Sequence, residues 1–269
     1  MKGLNSIIIN FILPIVVLYF VFRINSLLGW LLVLIFILYS TFKSRSDIYA
    51  HIGNNAYMKG NEEKAFIWIK KAATLKEGKV KFKIGYAFLL VKRDQIEAAE
   101  KIINEILNSS AMKDDKFNAR VTLSLVEWKK GRLYYAINIL EDVYSNFKNT
   151  NLYVYLGFLY LLKGDIEKAI IFNEEAYEYN DTNSLILNNL AQVYFKAKNF
   201  DKCEEILVKL LEKTPNFSEP YYFLGCIMLQ KGEKEKAKNY FKQAQSYEVS
   251  FFSTLSDQSI KEKIDEQAM

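Results

Sequence analysis

Residues 159–170 read LYLLKGDIEKAI, and their pattern returns along the chain. YMKGNEEKAF fills 57–66, WKKGRLYYAI fills 128–137, LQKGEKEKAK fills 229–238, and a looser FKAKNFDKCE fills 195–204. Each stretch runs from a large apolar residue through Lys-Gly or its equivalent and a polar cluster to a small residue. Glycine enters the left-handed conformation that closes a helix, and lysine suits the negative end of its dipole. Asn61 and Asp165 then stand where a following helix needs an N-cap. The stretch therefore reads as a helix end, a tight turn and a helix start. It is packing grammar and carries no chemistry.

Placing Ala65, Ala98, Ala136, Ala169, Cys203 and Ala237 in register gives spacings of 33, 38, 33, 34 and 34. A period near 34 with two helices per unit marks a stacked repeat array, and the motif residues resemble the tetratricopeptide repeat family. The fourth unit carries Tyr153, Leu156-Gly157, Tyr160, Ala169 and Ala176, and the sixth carries Tyr221, Leu224-Gly225, Met228, Ala237, Phe241 and Ala244. The fifth has Leu190-Ala191, Tyr194, Cys203, Leu207 and Pro215. Units two and three depart from the pattern, with Gly85 one residue early against Ala98 and Ser124 in the place of the small glycine.

Two antiparallel helices approach closely only where the crossing side chain is small, a place taken by Gly53, Gly157, Ala191 and Gly225 on the first helices. The expected fold is all-α: an α-solenoid of about six helix-turn-helix repeats over residues 46–251, then a closing helix and tail over 252–269. Val249, Phe251, Phe252, Leu255, Ile260 and Ile264 are read as the apolar side of that cap, with Asp257 as its N-cap. Residues 108–117 are read as a longer loop between units two and three.

The array is preceded by residues 7–22, IIINFILPIVVLYFVF, and 27–42, LLGWLLVLIFILYSTF. Crossing the hydrocarbon core takes roughly 20 residues, so a transmembrane hairpin over 1–45, with helices at about 4–22 and 27–42, is expected. Lys2, Arg23, Lys43 and Arg45 are the charges of this segment, which has no acid. Lys2, Lys43 and Arg45 flank one side, so both ends and the repeats are expected in the cytoplasm. Asn10, deep in the first run, could bond within the hairpin or to a second copy.

The net charge of +5 sits almost entirely in that anchor, since the remainder has 32 bases against 31 acids. Such a balance gives no footprint for nucleic acid. One histidine, His51, and two cysteines without metal spacing leave no assembled nucleophile, base and orienter, so no enzyme, metal or cofactor is expected. The excess of Lys over Arg, with many Asn, Ile and Tyr, is a compositional sign of a bacterial source.

In the family that this chain resembles, fixed positions on each first helix line a concave groove. The resemblance carries Asn54, Phe82, Tyr86, Leu125, Trp128, Phe158, Asn188, Gln192, Phe195, Tyr222 and Cys226 onto that lining. Apolar and aromatic in the middle and amide-bearing near the fifth unit, such a groove suits an amphipathic helix or an extended segment with bulky anchors. The alternative is that these side chains pack within and between repeats. The expected function is a membrane-anchored adaptor that binds a protein or peptide partner at the cytoplasmic face of a bacterial plasma membrane. A structural or regulatory subunit of an envelope complex, self-associating through its hairpin, is the alternative.

Overall fold

The computed structural model describes residues 13–76 and 78–268. Lys2, Asn10 and the start of the first apolar run at Leu4 lie outside the described residues. The described residues form fifteen α-helices, and no strand occurs among them. They divide into two compact units, Met1–Phe82 and Lys83–Met269.

The first unit holds α1 (Leu13–Ile24), α2 (Ser26–Lys43), α3 (Arg45–Met58) and α4 (Glu62–Thr74). Asn25 turns the chain between α1 and α2, and its side chain accepts the Leu28 N–H at 3.2 Å as an N-cap. Gly29 lies under the Phe22 ring, which meets Trp30 edge-on at 5.5 Å. Around these contacts Ile15, Val17, Leu28, Leu34 and Ile37 stay exposed. Among the described residues one helix, Ser26–Lys43, is long and apolar enough to cross a membrane, and Pro14–Ile24 is apolar but shorter. In the pair α3 and α4, Gly53 admits Ile69 so closely that an added Cβ would sit 2.7 Å from its Cγ1. Ser46 Oγ donates to the Ala72 carbonyl at 3.1 Å.

The second unit begins within α5 (Val80–Lys92) and continues through α6 (Ile96–Leu107), α7 (Lys113–Lys129), α8 (Leu133–Tyr144), α9 (Thr150–Lys163) and α10 (Ile166–Tyr179). It is completed by α11 (Ser184–Lys196), α12 (Phe200–Leu211), α13 (Glu219–Gln230), α14 (Lys234–Ala244) and α15 (Asp257–Ala268). Here, too, the helices alternate as antiparallel pairs. The expected turn chemistry holds: Gly60, Gly131, Gly164 and Gly232 all have φ between 73° and 83°. Asn61 and Asp165 accept the N–H of Lys64 and Lys168 as N-caps. Where glycine is missing, Asp94 and Lys198 take the same left-handed turn, each at φ 59°.

The turn at Asp94 corrects the register of the second repeat. The small residue of each second helix lies five positions after the left-handed one, which selects Ala99 rather than Ala98. Ala99 is buried and Ala98 exposed. The matching small residue on the first helix is Ala87, also buried, whereas an added Cβ on Gly85 would have nothing within 4 Å. The glycines do a more specific job than matching one small residue with another. Gly53, Gly157 and Gly225 face Ile69, Asn173 and Phe241, each one helical turn beyond the buried alanine. The glycine admits the larger side chain, and the alanine lets the helix axes approach.

Successive pairs are stapled by one recurring device. Glu141 on α8 accepts from Tyr160 Oη and Lys168 Nζ, both at 2.8 Å. One repeat later, Glu174 on α10 accepts from Tyr194 and from Lys202 at 3.2 Å. The connection read as residues 108–117 is shorter than expected, because α7 already starts at Lys113. Asp114 and Asp115 in its first turn favour that extension, since carboxylates suit the positive helix end.

Candidate functional site

The first helices of successive pairs, α7, α9, α11 and α13, pack side by side and present one face of the second unit. An irregular stretch, residues 248–256, with a turn at Phe251 and Phe252, lies on that face instead of only closing the end of the array. This departs from the reading of the tail as a cap. Val249, Leu255 and Ile264 do pack beside Tyr221, Ala244 and Ile260, but Phe251 and Phe252 turn inward.

Phe252 is 2% exposed. Its ring stacks on Tyr155 at 5.0 Å and meets Phe158 edge-on at 5.5 Å. Phe251 meets Trp128 at 5.5 Å and Phe88 at 6.0 Å, both edge-on. Lys129 Nζ stands over both the Trp128 and the Phe251 rings, at 5.6 and 5.7 Å. Burying one such phenylalanine contributes about 2–3 kcal/mol, and each well-placed ring pair adds about 1 kcal/mol.

The backbone between these rings is held by side chains. Gln192 Nε2 donates to the Phe252 carbonyl at 3.0 Å. Its Oε1 accepts from Thr254 N at 2.9 Å and Thr254 Oγ1 at 3.0 Å. Asn188 Nδ2 donates to Ser250 Oγ at 3.4 Å. Glu219 Oε1 accepts from Ser250 N at 2.9 Å and Ser250 Oγ at 2.7 Å. The stretch is tied at its start by Ser218 N donating to the Glu248 carbonyl at 3.0 Å. Val249 N, near its start, donates to Asp257 Oδ1 just past its end at 3.2 Å, so Asp257 is not the expected cap of α15. Ser256 fills that role, its Oγ accepting from Ser259 N at 3.1 Å.

Of the residues expected to line a groove, Trp128, Phe158, Asn188 and Gln192 touch this segment. Tyr86 and Leu125 are buried, as is Phe82, which belongs to the first unit with the exposed Asn54. Phe195 packs on Phe200 and Phe223, and Tyr222 on Phe223 and Phe241. Cys226 is buried and its thiol is pushed up to about 11 by burial, while Cys203 rises to about 12 for the same reason. Neither thiol has the depressed pKa of a reactive cysteine.

Sequence reasoning missed Glu219, Tyr155 and Phe88. Glu219 reads as an ordinary acid in a helical first turn, yet it is fully buried. Burial pushes its carboxyl above the usual range, and hydrogen bonding from Ser250, with Ser253 nearby, offsets this only in part. Two acceptors beside the segment, Asn188 Oδ1 and Glu219 Oε2, have no hydrogen-bond partner among the described residues. Those residues also contain no group of three or more His, Cys, Asp or Glu able to hold a metal ion.

Two family models match the chain, both described as tetratricopeptide repeat, at residues 160–225 and 218–248. The uncharacterized protein ycf37 of Pyropia yezoensis is 37% identical over 78 residues, which is 29% of this chain and 42% of that protein. Among solved structures, the anaphase-promoting-complex (APC/C) hetero-tetramer Cut9-Hcn1 superimposes with a TM-score of 0.64 at 15% identity, covering 83% of this chain and 43% of that one. Pseudomonas aeruginosa pilF gives 0.56 at 13% identity, covering 82% and 99%. The chain thus spans less than half the length of the curated relatives it matches in sequence. Likeness at such low identity carries the fold alone. Residues 160–248 match tetratricopeptide repeat models and lie in an all-helical array of that fold.

Proposed function

We propose that the chain is a membrane-tethered scaffold whose repeat array binds a partner protein through the face formed by α7, α9, α11 and α13. In this reading residues 1–45 anchor it, 46–251 form the repeats, and the repeats lie on the cytoplasmic side of a bacterial plasma membrane. One observation carries the binding claim: the face already holds an irregular loop of the chain by an aromatic cleft and by side-chain bonds to its main chain. Main-chain hydrogen bonds for affinity and side-chain pockets for selectivity are a general mode of peptide recognition. The exposed apolar side chains of α1 and α2 and the positive charge of the first forty-five residues support the tether.

The test is crosslinking in native membranes followed by identification of the captured proteins. A discrete partner should be recovered with the unsubstituted chain and lost with Trp128→Ala. Recovery that ignores Trp128→Ala but is abolished by replacing residues 1–45 would favour the alternative, a subunit that assembles through its hairpin.

A further inference from the structure

The first repeat pair, α3 and α4, carries most of its positive charge at one end. Residues 46–82 hold seven bases against four acids, whereas residues 83–269 hold twenty-five against twenty-seven. The near-neutral balance of the repeats thus conceals a basic start. Six lysines stand between positions 64 and 81, with one acid among them, Glu77, which lies outside the described residues.

Antiparallel packing decides where those lysines go. Ser46 Oγ donates to the Ala72 carbonyl at 3.1 Å, and Lys79 Nζ pairs with Asp47 at 2.6 Å. The C-terminal end of α4 and the turn after it therefore lie beside the start of α3. Lys70, Lys71 and Lys76 are exposed there, and Lys79 offsets Asp47, the acid in the first turn of α3. Glu62 and Glu63, in the first turn of α4, lie at the opposite end, about 20 Å away along the fourteen-residue α3.

The basic end is also the one at which α2 arrives. Ser44 alone separates α2 from α3. The eighteen residues of α2 rise about 27 Å, close to the thickness of a hydrocarbon core. A bilayer around α2 places at its headgroups the exposed Lys43 and the guanidinium of Arg45, which stands over the Phe42 ring at 4.0 Å. Trp68 lies between the Tyr49 ring at 5.3 Å and Lys71 Nζ at 4.5 Å. Indole and phenol rings are enriched at membrane–water boundaries.

We propose that this end of the first repeat pair is a docking surface for acidic phospholipids, with Lys43, Arg45, Lys70, Lys71 and Lys76 meeting headgroup phosphates and Trp68 lying at their level. This rests on the tether reading above and adds the class of lipid and the residues that touch it. The contact holds the first repeat end-on against the bilayer, where a hairpin alone would leave its orientation to Ser44. Each basic side chain near an acidic leaflet raises affinity about fivefold.

The experiment places the full-length chain in nanodiscs of phosphatidylcholine, with and without about 30% phosphatidylglycerol, and follows acylation of each lysine by mass spectrometry. Acidic lipid should slow Lys70, Lys71 and Lys76 about fivefold, and about 1 M sodium chloride should restore most of the rate. Lys59, at the far end of α3, lies beyond a Debye length and should change less than about twofold. Equal rates in the two discs overturn the proposal. Equal slowing at Lys59 does so too, because it reports a general surface potential and no docked end. Slowing that appears only when native membrane proteins are added assigns this end to an acidic protein and overturns it as well.

A second measurement reads the lipid. Full-length chain purified in detergent from the mixed discs should retain about threefold less phosphatidylglycerol when it carries Lys70→Gln with Lys71→Gln, both at exposed positions. Unchanged retention overturns the proposal. A chain that enters neither disc removes the tether reading and this inference together. A chain that enters both and ignores phosphatidylglycerol removes this inference alone.

Discussion

The side-chain carbonyl of Gln192 accepts the main-chain N–H of Thr254 at 2.9 Å across sixty-two residues of chain. The amide of the same side chain donates to the carbonyl of Phe252. One buried glutamine on α11 thus fixes the direction and register of the tail. Gln192→Ala leaves a carbonyl and an N–H unpaired in a buried place and should cost about 2–4 kcal/mol of stability. Gln192→Glu keeps the acceptor for Thr254 and, when protonated, an O–H in place of the donor to Phe252. Denaturant unfolding of the full chain in micelles should rank wild type above both variants, with alanine below glutamate when the pH keeps the glutamate protonated.

The left-handed turns divide the repeats into relaxed and strained. Lys198 holds φ 59° with a Cβ where its counterparts Gly164 and Gly232 have none. Lys198→Gly should raise stability by about 1 kcal/mol, since this conformation costs an L-residue roughly 1–2 kcal/mol. Gly164→Ala should lower it by a similar amount. Nothing lies within 4 Å of an added Cβ at Gly164, so the loss would come from the backbone alone. Thermal melts of the two variants should move in opposite directions.

Two glycines inside first helices should also behave oppositely. An alanine at Gly157 would run into the buried amide of Asn173, whose Nδ2 is committed to the Gly157 and Ala169 carbonyls at 3.2 and 2.9 Å. Shifting that amide loses those bonds, and Gly157→Ala should destabilise by about 1–3 kcal/mol. Gly85 sits on an open helical surface, where Gly85→Ala should stabilise by up to about 1 kcal/mol through helix propensity. Chemical denaturation separates the two.

Two buried or half-buried acids should give opposite pH dependences. Glu219 has a raised carboxyl pKa in the fold, chiefly from burial, so the native state holds its proton more tightly than the unfolded chain. Its contribution to stability therefore falls as pH climbs through the carboxylate range to that raised value. Glu219→Gln should remove this fall and become relatively more stable towards neutral pH. Glu174 is lowered, first by the Tyr194 hydroxyl and then by Lys202. Its contribution is present above the ordinary carboxylate value and disappears as acid carries the pH below the folded one. Glu174→Gln should lose stability at neutral pH and converge with wild type in acid. Unfolding free energies across pH 3–8 test both signs, that range bracketing the ordinary carboxylate value of about 4.3.

The local turn chemistry was legible because it depends on neighbours in sequence. Gly164 and Asp165, or Gly60 and Asn61, announce a helix end and a helix start without tertiary information. Ala98 and Ala99 show where that runs out. Two adjacent alanines satisfy the same spacing within one residue, and only the left-handed turn at Asp94 decides between them. The groove was half legible. Trp128, Phe158, Asn188 and Gln192 stand at positions that the repeat pattern itself supplies. What fills them is a non-local fact: the pair Phe251 and Phe252 reads equally as a cap or as an insert. Glu219 gives no sign of burial in sequence, because its partner Ser250 arrives from thirty-one residues away.

Amide hydrogen exchange at Thr254 in the full chain, with and without Gln192→Ala, is the most direct test of the occupied groove. Slow exchange in the unsubstituted chain, becoming fast in the variant while α9 and α11 keep their protection, is the expected result. Fast exchange in both, or protection lost only together with those helices, would contradict a tail held on that face by Gln192.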